Sequence, residues 1–196
     1  MKASIGKQRA AFARTKGICI ICGRPLSNDE SKWSPDHFIP RAIYKWVPSK
    51  RTQSLIESAG NIFVVHQWCN FDKDSALPTK QSISRMHASK DILDDMRELY
   101  KATEDSIVAY RAIKQSTLDS QGRRCKICGR RLTLNGATLR RIDNRKERTR
   151  ENAMCLCRNC NRKAASTSQK ERMLGNASKR KRNHRPHKRQ TGRPTR

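Results

Sequence analysis

Cys19 and Cys22, then His66 and Cys69, are two pairs with the same separation. A Cys-x-x-Cys step is a tight knuckle that turns two sulfurs onto one ion, and Gly23 follows where the turn needs a residue without a Cβ. Three thiolates and one imidazole supply the four corners of a tetrahedral Zn²⁺ site. A disulfide framework is the weaker reading, because a cysteine pair matched with a histidine is a poor one.

Between the halves of this clamp stands Asp36-His37. An aspartate beside a histidine offers a hard oxygen ligand and a general base, the base titrating near ~6.5 in its unperturbed form. Asn70 follows Cys69 directly and is a candidate second, neutral oxygen ligand. Closing the clamp brings it near Asp36, where a divalent ion would keep positions open for water and a phosphate oxygen.

The same pattern recurs. Cys125-Lys126-Ile127-Cys128-Gly129-Arg130 repeats Cys19-Ile20-Ile21-Cys22-Gly23-Arg24, and Cys157-Arg158-Asn159-Cys160-Asn161 repeats His66-Gln67-Trp68-Cys69-Asn70. Asn61 and Asn152 each stand five residues before the second pair. Cys125, Cys128, Cys157 and Cys160 therefore form a second candidate zinc site in a tandem duplicate. Along the sequence, Asp143-Asn144 aligns with Asp36-His37, which predicts that an amide without useful basicity replaces the histidine. Cys155 is a spare cysteine, read as a small buried side chain.

Cys-x-x-Cys, Asp-His-x-x-Pro, Asn and (Cys/His)-x-x-Cys-Asn-x-x-Lys, in this order over residues 19–73, resemble the zinc-containing HNH endonucleases of the ββα-metal fold. The resemblance implies that His37 activates water and that Asp36 and Asn70 hold the catalytic divalent ion, Mg²⁺ or Mn²⁺. It also implies that Asn61 braces the loop and orients His37, and that Lys73 lies near phosphate. His66 stands where many members have cysteine, and Asn70 where many have histidine. The expected activity is metal-dependent hydrolysis of nucleic acid, with DNA the expected substrate and a 5′-phosphate product. The rival from another class is a non-catalytic zinc module that binds nucleic acid.

The elements that must position these residues are small. Of 196 residues, 35% are hydrophobic, 5% aromatic and 31% charged, so metal-stapled modules suit the chain better than one large core. The expected fold class is α+β: a zinc-bearing nuclease module over 1–80, a helical linker over 81–118, a degenerate zinc module over 119–168, and a disordered basic tail over 169–196. Residues 4–16 read as a basic helix and Ile62-Phe63-Val64-Val65 as an apolar run leading into the helix that carries Asn70. Residues 89–114 read as helical, with Ile92, Met96, Leu99, Tyr100, Ile107, Tyr110 and Ile113 at packing positions. Glu104-Asp105-Ser106 either caps a second helix there or lies inside one long one.

A formal charge of +27 calls for a polyanion, and nucleic acid is the expected partner. Arg41, Lys45, Lys50, Arg51 and Lys73 in the first module, and Arg140 and Arg141 in the second, are the candidate phosphate contacts. Tyr44 and Trp46 in the connector 41–59 suit either a stacked base or simple packing. The chain shows neither a membrane-spanning run nor the apolar core of a signal peptide, which predicts no membrane partner and a reducing cytoplasm that keeps thiolates for zinc.

Overall fold

The computed structural model describes residues 4–73, 76–164 and 172–175. Helix α1 (Ile5–Arg14) starts at Ser4, whose hydroxyl accepts the Lys7 N–H, and ends at Gly17 with φ +68°. The chain then enters the first knuckle, where the Cys19 N–H donates to the Arg24 carbonyl at 3.0 Å and the Gly23 N–H to the Cys19 carbonyl at 2.8 Å. Gly23 has φ +71°, and a Cβ there would lie 2.8 Å from His87 Nδ1, so both backbone and packing demand glycine.

Strand β1 (Ser34–His37) pairs antiparallel with β2 (Ile62–Val65), with Asp36 opposite Phe63 and His37 opposite Ile62. Between them run α2 (Ala42–Trp46) and α3 (Lys50–Ile56). β2 is buried along its whole length, and α1 packs onto it. Arg14 ties the two together: its guanidinium donates to the Ile62 carbonyl at 2.9 Å and lies 4.5 Å from the Phe63 ring centroid. Helix α4 (Gln67–Lys73) follows at once and packs on β1, which completes a ββα unit.

The second unit repeats these parts. Its knuckle has the same two backbone hydrogen bonds, from Cys125 N–H to the Arg130 carbonyl and from Gly129 N–H to the Cys125 carbonyl. The segment between the units holds the short helix α5 (Lys80–Ser84) and the single uninterrupted helix α6 (Lys90–Ser120). Glu104-Asp105-Ser106 thus lies inside one long helix. Strands β3 (Thr138–Arg141) and β4 (Ala153–Leu156) pair antiparallel, and α7 (Arg158–Lys163) packs on both.

Helix α6 is more than a tether. It packs against α2, α3 and α5 on one side and against β4 on the other. Ile92, Met96, Tyr100, Ile107 and Tyr110 are buried along it, with Leu99 and Ile113 packed at their edge. One continuous apolar cluster runs from Ile43, Trp46 and Phe63 of the first unit through α6 to Leu139 and Cys155 of the second. The result is a mixed α and β protein with two two-stranded sheets. No helix among the described residues is long and apolar enough to cross a membrane. The predicted disordered tail lies outside the described residues, apart from 172–175.

Candidate metal centres and the Asp36–His37 strand

The ligand atoms of Cys19, Cys22, His66 and Cys69 all lie within 4.8 Å of one another, and so do those of Cys125, Cys128, Cys157 and Cys160. Both quartets can hold a metal ion, and their donor sets suit zinc. His66 Nε2 donates to the Pro25 carbonyl at 3.1 Å, which turns Nδ1 toward the cluster, 3.4 Å from Cys22 Sγ. That bond selects the nitrogen facing the cluster. Burial and the adjoining Cys22 and Cys19 thiols push the Cys69 thiol up, and burial with Cys157 does the same to Cys160. The thiols of each quartet, three in the first and four in the second, ionise together only when a cation neutralises them. Outside both clusters, Cys155 is buried, and burial pushes its thiol up to about 11.

Because strand neighbours point to opposite faces, Asp36 and His37 meet different surroundings. Asp36 faces α4, where Lys73 Nζ donates to its Oδ2 at 2.6 Å and to the His37 carbonyl at 2.9 Å. One turn earlier on α4, Asn70 donates Nδ2 to Ser34 Oγ at 2.9 Å. Ser34, Asp36, Asn70 and Lys73 thus form one polar seam between β1 and α4. Lys73 was expected near phosphate; here its ammonium sits on the carboxylate.

His37 faces the connector instead. Its Nε2 lies 3.5 Å from Glu57 Oε2, an ion-pair distance without a hydrogen bond, and the side chain is only 11% exposed. Burial lowers its pKa and Arg41 lowers it further, against the opposing pull of Glu57 and Asp36. The imidazole is therefore neutral at neutral pH. Glu57 accepts from Arg41 at 2.6 Å and from the Tyr44 hydroxyl at 2.5 Å. Burial works against its charge, but these two donors prevail and hold its pKa down to about 2. Glu57, Ser34 and the bonding role of Tyr44 escaped the sequence reading. The available signal was Glu57 itself, the one carboxylate in the basic connector 41–59. Trp46 is buried, so packing is its role, while Lys50 and Arg51 stand exposed at the start of α3.

Asn61 is fully buried immediately before β2. Its Oδ1 accepts the Ile39 N–H at 2.8 Å, and its Nδ2 donates to the Ile39 and Ile56 carbonyls at 3.0 and 2.8 Å. It closes the loop that follows His37. Asn61→Ala is expected to leave three buried backbone groups unpaired and to cost about 2–4 kcal/mol in urea denaturation. A loss under ~1 kcal/mol would show that water replaces the amide.

Asn152 repeats this bracket on Asp143, accepting its N–H at 2.8 Å and donating to its carbonyl at 2.9 Å. Asp143 is therefore the counterpart of Ile39, two residues beyond His37. The ladders agree, since His37 pairs with Ile62 directly after Asn61, and Arg141 pairs with Ala153 directly after Asn152. This corrects the alignment read along the sequence. The strand positions of Asp36 and His37 are filled by Arg140 and Arg141, and Asp143-Asn144 lies in the loop beyond them. The sequence alignment slipped because an Asp-polar pair looked alike in both copies, whereas register is set by the bracketing asparagine.

The faces of α4 and α7 approach each other. Arg158 donates to the Asp72 carbonyl at 2.6 Å, and Arg158 and Arg162 lie 4.7 and 4.9 Å from the Phe71 ring centroid. No protein family matches the chain, and comparisons with curated proteins and with solved structures also found no match.

Proposed function

We propose that the chain is an HNH-type endonuclease that hydrolyses phosphodiester bonds in nucleic acid, DNA first among them, with its catalytic centre on β1. The observation that carries this reading is His37: a neutral, largely buried imidazole on a ββα unit, beside a carboxylate and an ammonium.

His37 accepts the proton of the attacking water. Nε2 faces Glu57, which leaves Nδ1 as the accepting nitrogen, and the Glu57 carboxylate steadies the imidazolium that forms. Arg41 and Tyr44 hold Glu57 in place. Lys73 is close enough to the strand to meet a phosphate oxygen once it leaves Asp36.

Asp36 and Asn70 are hard oxygen donors on facing elements, and the Asn70 amide directs its N–H₂ to Ser34, which suits its oxygen as the ligand atom. This donor set fits Mg²⁺ or Mn²⁺, provided Lys73 yields Oδ2 of Asp36. A divalent ion held there supplies charge stabilisation to the phosphate and the leaving 3′ oxygen. Lys73→Met is expected to cost about 3 kcal/mol, because it strands a buried carboxylate whose pair is 12% and 9% exposed. Mn²⁺ should restore much of that loss, and raise the variant's Tm more than the wild type's. Equal Mn²⁺ shifts in both proteins would remove Asp36 from the metal site.

The same ion pair favours a second reading, a non-catalytic nucleic-acid-binding zinc protein in which Lys73 permanently satisfies Asp36. Supercoiled plasmid with purified protein, with and without Mg²⁺ or Mn²⁺, separates the two. Divalent-dependent nicking supports the nuclease, whereas tight binding without cutting of DNA or RNA selects the second reading.

A further inference from the structure

The repositioned arginines of the second unit open onto a cleft that the proposed chemistry does not use. A cavity of about 350 Å³ lies between the units, with β3 on one side and α2 on the other. Its floor includes the buried Trp46 and Tyr110, and its walls carry Lys45, Arg140, Arg141 and Arg148. Those are four cations, and no carboxylate lines the cleft.

Like charges gathered at one cleft repel one another, and an anion that joins them relieves that repulsion. Their mutual repulsion is visible in both walls. Lys45 is lowered by burial and then by Arg148, Arg41 and Arg140, against the opposing pull of Glu57; Arg148 is lowered by burial and then by Arg141 and Arg140. Lys45 belongs to the first unit and the three arginines to the second, so the site exists only because α6 fixes the units together. Arg41 and Glu57, the ion pair beside His37, both act on Lys45, so the cleft adjoins the His37 strand.

We propose that this cleft is a phosphate site for the backbone of a nucleic-acid strand, built from the strand positions that carry Asp36 and His37 in the first unit. In one copy the frame presents a carboxylate and a base; in the other it presents Arg140 and Arg141, the latter also donating to the Lys146 carbonyl at 2.9 Å, which can bind phosphate without cutting it. The site is a binding site and stands whether or not the first unit cleaves. The shared chemistry is a phosphate oxyanion, and a strand is preferred over a free nucleotide because the cleft adjoins the His37 strand, so that one backbone can reach both.

The test is fluorescence anisotropy of the full chain with a labelled 20-mer, duplex and single-stranded, across a salt series without added divalent ion. Wild type is compared with Arg140→Gln/Arg148→Gln and with the control Arg97→Gln/Lys101→Gln on the exposed face of α6. Metal content and melting curves report whether each variant folds. The cleft variant is expected to bind about tenfold or more weaker near 100 mM salt, with a salt slope reduced by about 2. The control should change less than about twofold. Equal losses in both variants, or none in the cleft variant, would overturn the proposal. Loss of ATP binding with unchanged 20-mer binding would overturn it too, in favour of a small phosphate ligand. Because the readout is binding, failure to cut plasmid leaves this result intact, and failure here leaves the nuclease reading intact.

Discussion

His37→Ala is expected to lower plasmid nicking by about 10²–10⁴, the range associated with removing a positioned general base. Metal content and oligonucleotide binding should stay at wild-type levels, because His37 is outside both Cys/His clusters and its buried Nε2 has no hydrogen-bond partner among the described residues. The pH profile carries a further signature. Burial and Arg41 lower the pKa of His37, so the accepting form persists below ~6.5 and the acid limb of cleavage should fall under that value. Glu57→Gln removes a group that raises His37 and leaves only Asp36 to oppose Arg41, so the limb should move lower still while the rate drops. Stability follows the same sign. The unfolded chain takes up the proton first as pH falls, so the contribution of His37 is complete above ~6.5 and is lost as pH drops through its depressed folded value. A variant that nicks at the wild-type rate would sink the mechanism.

Cys69→Ser is expected to have the largest structural effect. Cys69 is 1% exposed, and it starts the turn of α4 that carries Asn70 and Lys73. Structural zinc sites are worth roughly 10–16 kcal/mol in small peptides, and losing one thiolate should remove on the order of 5 kcal/mol or more. That is comparable to the whole stability of an ordinary domain. Zinc by mass spectrometry should fall from two per chain to one, and nicking should cease with it. Cys155→Ala, at a buried cysteine outside both clusters, should retain two zincs and lose only the modest amount due to a small cavity. If Cys69→Ser keeps two zincs and melts normally, the first quartet is not a metal site.

Both quartets were legible because a Cys-x-x-Cys knuckle is a local geometry: a turn of fixed size and a glycine with positive φ at Gly23 and Gly129. The short strand β2 was legible as an apolar run, and α6 from helical spacing. Asp36, His37, Asn61 and Asn70 could be named because they occur close to such markers.

Contacts between distant segments were decided only by tertiary structure. Lys73 on Asp36 spans 37 residues and Thr52 on Ser106 spans 54, and no local pattern encodes either. Glu57 became the partner of His37 because α2 and α3 fold the connector back over β1. The register of the second unit depended on Asn152 bracketing Asp143, a hydrogen-bond geometry that sequence similarity placed two residues away. The sequence by itself determined the metal-ligand chemistry and the repeated frame, since these follow from residue type and short spacing. Which side chains face His37, which cation holds Asp36, and that four cations share one cleft were settled by packing between α4, the connector and β1 and, for the cleft, across α6, where burial and charge act through space rather than along the chain.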